Sequence, residues 1–229
     1  MASKIPRKAA SERGSGNRLS DLAYTKLLEL LFDRRLPAGS FVSQSELVEM
    51  IGVPVAPLRD ALRSLEAEGI VTIHARTGIE FVKPGIELTH FTFQFRGIIE
   101  SAAVAVFAET ASDAEIAKLK SQHQQVIKEV ESKGLSPAIL IRLEELEYAL
   151  HRSIVASLNN TLIDSSYRRI HNYLKLIRLD RRLTPPLALR SLKEHMAIVE
   201  ACRKRDPAEA VSALQAHFAS ALQRSLGQY

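Results

Sequence analysis

The chain is 229 residues long, 46% hydrophobic and 25% charged, the make-up of an ordinary globular protein with room for two modest domains. Its one cysteine, Cys202, excludes an internal disulfide framework and suits a reducing compartment. It has no run of eighteen apolar residues and no apolar secretory core near its start, so neither a membrane span nor a signal peptide is expected.

The net charge of +5 is unevenly placed. Residues 1–18 carry Lys4, Arg7, Lys8, Arg13 and Arg18 against Glu12 alone, in a Gly/Ser/Lys-rich stretch with few large apolar residues. That composition predicts a flexible basic arm, either merely solvated or steering the chain toward a polyanion. Residues 19–84 hold seven Lys/Arg against nine Asp/Glu. Any nucleic-acid contact there depends on where Arg34, Arg35, Arg59, Arg63, Arg76 and Lys83 point.

Within 19–84 the pattern is that of two short helices and a hairpin. Ser45-Glu46-Leu47-Val48-Glu49-Met50-Ile51-Gly52 reads as a short helix stopped by glycine. After a tight turn, Leu58, Ala61, Leu62 and Leu65 recur at helical spacing, while Arg59 and Arg63 sit four apart on another side. Gly69 ends this helix, and Val71-Thr72-Ile73 and Ile79-Glu80-Phe81-Val82 read as strands around Gly78. Two short helices joined by a Gly-containing turn are a helix-turn-helix signature, in which the second helix enters the major groove.

These residues closely resemble the GntR family of bacterial transcription regulators over roughly residues 20–84. Leu36-Pro37-Ala38-Gly39 with Ser45-Glu46-Leu47, and Leu65-Glu66-Ala67-Glu68-Gly69-Ile70-Val71, match its turn, helix and wing motifs. The resemblance implies a winged helix with DNA contacts from Arg34, Arg35, Ser45, Arg59, Arg63, His74, Arg76 and Gly78, on double-stranded operator DNA. Family members usually carry Ser-Arg-Thr where this chain has Pro54, Val55 and Ala56. Val55 and Ala56 have no side-chain donors, so an altered sequence preference is expected.

Lys83-Pro84-Gly85 breaks the pattern, and a linker over 85–88 is expected before an all-α domain at 89–229. Candidate helices run near 89–110, 112–133, 136–157, 160–181, 186–204 and 207–226. The breaks fall at Ser112-Asp113, Gly134, Asn159-Asn160, Thr184-Pro185-Pro186 and Asp206-Pro207. The fold class expected is mostly α: an N-terminal winged helix-turn-helix followed by a C-terminal helical bundle.

In the helical half, Glu147 and His151 are four apart and share a helix face, with His195 and His217 on the last two helices. Such side chains on facing helices either converge on a divalent cation or serve as hydrogen-bonded core residues. The set resembles that of the FCD ligand-binding domain of the FadR branch of the GntR family, which has an acid four before a histidine and then two later histidines. Glu147 and Leu150 stand where that family most often has Asp and Phe. The resemblance implies a metal site at Glu147, His151, His195 and His217, with zinc favoured and nickel or manganese as alternatives.

Phe95-Arg96-Gly97-Ile98-Ile99-Glu100-Ser101-Ala102-Ala103 resembles the same domain's first helix. It implies an effector pocket with Arg96 and Glu100; His171, Asn172 and Arg178 are placed on a candidate pocket helix with the polar run Tyr167-Arg168-Arg169-Ile170-His171-Asn172-Tyr173, which a solvated helix face also explains. A structural ion pair is the other reading of Arg96 and Glu100. A guanidinium in an enclosed pocket suits an organic carboxylate. No His-Glu-x-x-His, nucleophile elbow or phosphate-cradling glycine loop is present. The reading is a cytoplasmic, nucleoid-associated, non-enzymatic regulator and homodimer, a repressor that responds to a small carboxylate. A metal-sensing regulator is the alternative, and a metal-dependent hydrolase a remote one.

Overall fold

The computed structural model describes residues 8–179 and 183–227, with side chains from Arg18 onward. The chain divides into two compact units, Met1–Pro84 and Gly85–Tyr229.

The first unit runs α1 (Lys8–Phe32), β1 (Phe41–Val42), α2 (Gln44–Ile51), α3 (Val55–Ala67), β2 (Val71–His74) and β3 (Gly78–Phe81). Of the arm expected over 1–18, residues 1–7 lie outside the described residues, and from Lys8 the chain is the start of α1. Ala23, Leu27, Leu30 and Leu31 form the buried stripe of α1, facing Leu58, Ala61, Leu62 and Leu65 of α3. Helix α2 opens with a capping box: Ser43 Oγ accepts the Glu46 N–H, and Glu46 Oε2 accepts the Ser43 N–H. Gly52 ends α2 in the left-handed region, at φ 64°. Helix α3 is capped by Pro54 without a side-chain acceptor.

The sheet has the order β1-β3-β2 and is antiparallel throughout. Strand β1, which the sequence pattern does not announce, pairs Val42 with Ile79. Gly78 (φ +147°) is required by packing as well as by conformation. A Cβ there would lie 2.7 Å from Phe41 Cε1 and 2.9 Å from the Val42 carbonyl oxygen.

The second unit is a bundle of α4 (Ile86–Thr110), α5 (Asp113–Lys133), α6 (Pro137–Ala156), α7 (Thr161–Leu179), α8 (Pro185–Arg203) and α9 (Pro207–Ser225). The linker expected over 85–88 shrinks to Gly85, the N-cap of α4. Ile86 to Leu88 are helical, and the hydroxyls of Thr89 and Thr92 bond back to the carbonyls of Gly85 and Leu88. Ser112, Ser136 and Asp206 cap α5, α6 and α9 with side-chain acceptors.

Helix α4 is the centre of the bundle and packs against α6, α7, α8 and α9. By length and composition it could cross a membrane, but it buries Phe93, Val104 and Phe107 against Leu150, Ile154, Ile198, Leu214 and Phe218. Buried in the same core are groups that are costly there unless partnered: Arg96, Glu100, His123, His151, His195, His217 and Arg224.

Candidate metal centre and nucleic-acid face

Glu147 and His151 lie one turn apart on α6, His195 comes from the middle of α8, and His217 from the middle of α9. The bundle brings one ligand atom from each within 4.8 Å of the other three. Glu147 Oε1 is 3.4 Å from His151 Nε2, and Glu147 Oε2 is 3.2 Å from His195 Nε2.

What separates this cluster from ordinary core histidines is the state of each ring's two nitrogens. His151 Nδ1 is 2.6 Å from Glu100 Oε2, His217 Nδ1 is 2.9 Å from Glu194 Oε2, and His195 Nδ1 is 3.2 Å from His123 Nε2. Each Nδ1 is thus engaged from outside the cluster. Each Nε2 is buried, without a hydrogen-bond partner among the described residues. A buried acceptor left unmade costs free energy, and three such atoms facing one carboxylate fit a cation.

The charge states agree with that fit. Burial lowers His151 and His195 and pushes His217 down to about 4, against the opposing pull of nearby carboxylates. Neutral imidazoles and an ionised carboxylate are the forms that bind metal. Burial would raise Glu147, but the Arg178 guanidinium at 2.6 Å, with His151 and His195, holds it well below the usual carboxylate range.

A second layer braces the first. Glu100 is fully buried and accepts from Arg96 Nε at 2.6 Å, from His151, and from the Tyr167 hydroxyl at 3.2 Å. Burial would raise its carboxyl, but Arg96 and His151 hold it at about 2. Glu194 receives both terminal nitrogens of buried Arg224, at 2.8 and 2.7 Å.

The effector residues read from the sequence divide here. Glu100 has both oxygens engaged, Oε1 by Arg96 and Tyr167 and Oε2 by His151, and its negative charge suits the bracing of His151 and Arg96. Arg96 is different. Its Nε is tied to Glu100 and its guanidinium carbon lies 4.6 Å from the centre of the Phe218 ring. Both its terminal nitrogens are buried without hydrogen-bond partners among the described residues, and Nη1 is 3.6 Å from Glu147 Oε1. His171 lies on α7 with its ring 4.4 Å from that of Tyr148, and Asn172 follows it, partly buried. Burial, reinforced by Lys175 and Arg178, pushes His171 down to about 4.

Open depressions also mark the surface of the second unit. One of about 580 Å³ is lined by Pro186, Leu189, Arg190, Lys193 and Glu194, and one of about 200 Å³ lies around Gln122, Arg142 and Glu145.

The sequence reading misses His123, Arg224 and the role of Glu194. Glu194 adjoins His195 in sequence, which is a weak signal. His123 has none, because it meets His195 only through the packing of α5 on α8.

In the first unit, Arg59 and Arg63 are exposed on α3. Arg59 Nε donates to Gln44 Oε1 at 3.1 Å, and Arg63 faces Asp60 at 3.8 Å. Arg34 and Arg35 are exposed after α1, and Arg76 is exposed at the hairpin turn; Arg34 and Arg76 have positive φ. His74 Nε2 is 2.8 Å from Glu80 Oε2, and Ser45 is exposed on α2.

Two families match in succession along the chain. Residues 19–81 match the bacterial regulatory proteins of the gntR family, and residues 92–220, more than half the chain, match the FCD domain. The chain is similar to an uncharacterised HTH-type transcriptional regulator, YdhC, of Bacillus subtilis, 23% identical with 85% of each chain covered. It is similar to the HTH-type transcriptional repressor NanR of an Enterobacter species, 27% identical with 89% of this chain and 84% of that one covered. Among solved structures it resembles E. coli McbR/YncC with a TM-score of 0.74 and 15% identity, over 92% of this chain and 98% of that one. Relatives and family alike are regulators rather than enzymes, and the chain belongs to the GntR family of bacterial DNA-binding transcription regulators, in the branch with a C-terminal FCD domain.

Proposed function

We propose that this chain is a metabolite-responsive repressor whose FCD domain holds one divalent cation and takes a small carboxylate beside it. The observation that carries the reading is the set of three buried Nε2 atoms, each without a hydrogen-bond partner among the described residues and each backed by an engaged Nδ1. Glu147, His151, His195 and His217 would hold the cation. Three nitrogens and one oxygen suit zinc, with nickel and manganese as competitors.

The terminal nitrogens of Arg96, which have no hydrogen-bond partner among the described residues and only a 3.6 Å ion pair from Nη1 to Glu147, favour an anionic effector over a cation that is itself the signal. A guanidinium fork receives a carboxylate in two parallel hydrogen bonds, and the low dielectric of the core strengthens both. In the first unit, Arg59 and Arg63 would read or grip the operator from α3, with Arg34, Arg35, Ser45, His74 and Arg76 around them. Gly78 supports the wing by its packing. One short helix reads few base pairs, so two copies on a pseudo-palindromic site are expected. Phe91 and Ile98, exposed two turns apart on α4, offer an apolar face for a second copy to cover.

Elemental analysis of protein purified without a histidine tag tests the centre. About one equivalent of a divalent metal in the wild type, lost in His151→Ala and His217→Ala, is expected. Full metal content in both variants would return these histidines to the core.

A further inference from the structure

His123 belongs to no ligand set, yet it is fully buried and forms the only imidazole-to-imidazole hydrogen bond described in the bundle. Its Nδ1 is 2.7 Å from the carbonyl oxygen of Leu119, one turn back on α5. A carbonyl can only accept, so Nδ1 carries the proton. A neutral imidazole has one N–H, so His123 Nε2 is left as a lone pair. Facing it at 3.2 Å is His195 Nδ1, which must then be the donor. His195 Nε2 is in turn a lone pair, and it is the atom that faces the cluster.

We propose that His123 is a positioning residue that transmits the polarity of the Leu119 carbonyl through two imidazole rings, fixing His195 in the tautomer whose Nε2 can bind a cation. This rests on the cation reading above. The assignment follows from the hydrogen-bond network, and the competing tautomer is specific. His195 Nε2 is 3.2 Å from Glu147 Oε2, so a proton there would find a carboxylate. That arrangement would set the lone pairs of His195 Nδ1 and His123 Nε2 against each other at 3.2 Å. His123 therefore decides between the two.

The other two histidines need no such device. Glu100 and Glu194 are carboxylates, acceptors whatever their surroundings, and each fixes the Nδ1–H tautomer directly. At His195 a neutral ring does the same work without adding a third outer negative charge around a site that already holds Glu147.

The test is nitrogen-15 NMR of the histidine side chains in full-length, chelator-treated protein at neutral pH, alongside zinc titration. The wild type should show His195 as the Nδ1–H tautomer before any metal is added. His123→Leu removes the acceptor and should shift His195 toward Nε2–H, donating to Glu147, and weaken zinc binding 10- to 100-fold. His123→Gln restores an acceptor oxygen and should recover the tautomer and most of the affinity. A wild-type His195 in the Nε2–H form overturns the proposal, as does a His195 unchanged in His123→Leu. Equal loss of zinc affinity in the Leu and Gln variants also overturns it, since His123 would then only fill space. If the tautomer shifts as stated but zinc does not bind the wild type, the relay stands and the cation reading fails.

Discussion

Glu100 and His151 meet through Oε2 and Nδ1 at 2.6 Å, inside a helical core where neither side chain is more than 2% exposed. The same carboxylate takes Arg96 Nε through its other oxygen, also at 2.6 Å. One buried charge therefore orients a candidate metal ligand and a candidate effector anchor at once. Coupling between cation and effector would pass through this carboxylate.

Glu100→Ala should be costly, because it leaves Arg96 as a buried charge with Glu147 as its remaining carboxylate. Removing one partner of a buried pair costs about 3–5 kcal/mol. Thermal or urea unfolding of chelator-treated protein reads the loss directly. A cost under about 1 kcal/mol would mean that water reaches the pair in solution.

Acid should destabilise the metal-free protein. Burial pushes His123, His171 and His217 each down to about 4 in the folded chain, from the ordinary value of 6.5. Between these values the unfolded chain binds protons that the folded chain does not, so stability falls as pH falls. The contribution is fully present above about pH 6.5 and is lost on descent toward about pH 4, on the order of 3 kcal/mol for one such histidine. Melting temperature followed across this range checks it; a flat profile would place these rings in contact with water.

The DNA face yields a prediction at the residues that depart from the family. Pro54 caps α3 without a side-chain acceptor, and Val55 and Ala56 are exposed on the first turn, the part of a recognition helix that meets base edges. Apolar side chains there suit thymine methyl groups, while Arg59 suits guanine. Replacing thymine by uracil in the operator should weaken binding where Val55 or Ala56 makes contact. Arg59→Ala should cost roughly 1–3 kcal/mol, and Gln44→Ala less, since Gln44 only holds Arg59 Nε. Gel-shift titrations on the site beside its own gene measure all three, and an unchanged affinity in Arg59→Ala would take α3 out of the interface.

Much of this was legible in the sequence, for local reasons. Ser112, Asp206 and the Gly134 stop announce helix ends because caps are made by side chains next to the backbone they serve. The Glu147–His151 pair is visible because one helical turn separates them. The second layer was not. His123 and His195 are 72 residues apart and meet through helix packing, and the same holds for Glu100 with His151 and for Glu194 with Arg224. Nor was β1 legible, since two residues, Phe41 and Val42, carry no alternation to read. The linker was overestimated because Ile86-Glu87-Leu88 follow a Pro-Gly break, yet they are good helix residues once Gly85 serves as the cap.

The last prediction concerns how the effector is coupled to DNA. A ligand shifts an equilibrium only by its differential affinity for the two states, and the coupling is reciprocal: a tenfold weakening of DNA binding is about 1.4 kcal/mol seen from either side. Arg96 is the proposed anchor, but Arg96→Ala would strip Glu100 of its charged partner and threaten the fold. Arg96→Lys is the better probe. A lysine keeps a positive charge against Glu100 and loses the planar fork that receives a carboxylate at two points. This variant should fold, hold metal and bind the operator close to wild type, while its response to carboxylates falls by a factor of ten or more. Operator affinity measured with and without a panel of small mono-, di- and tricarboxylates, for wild type and variant, decides it. If a carboxylate releases the wild type and the lysine variant equally, the fork is not the anchor. Arg96 would then be only the counter-charge of Glu100, and the carboxylate would have to bind elsewhere in the bundle.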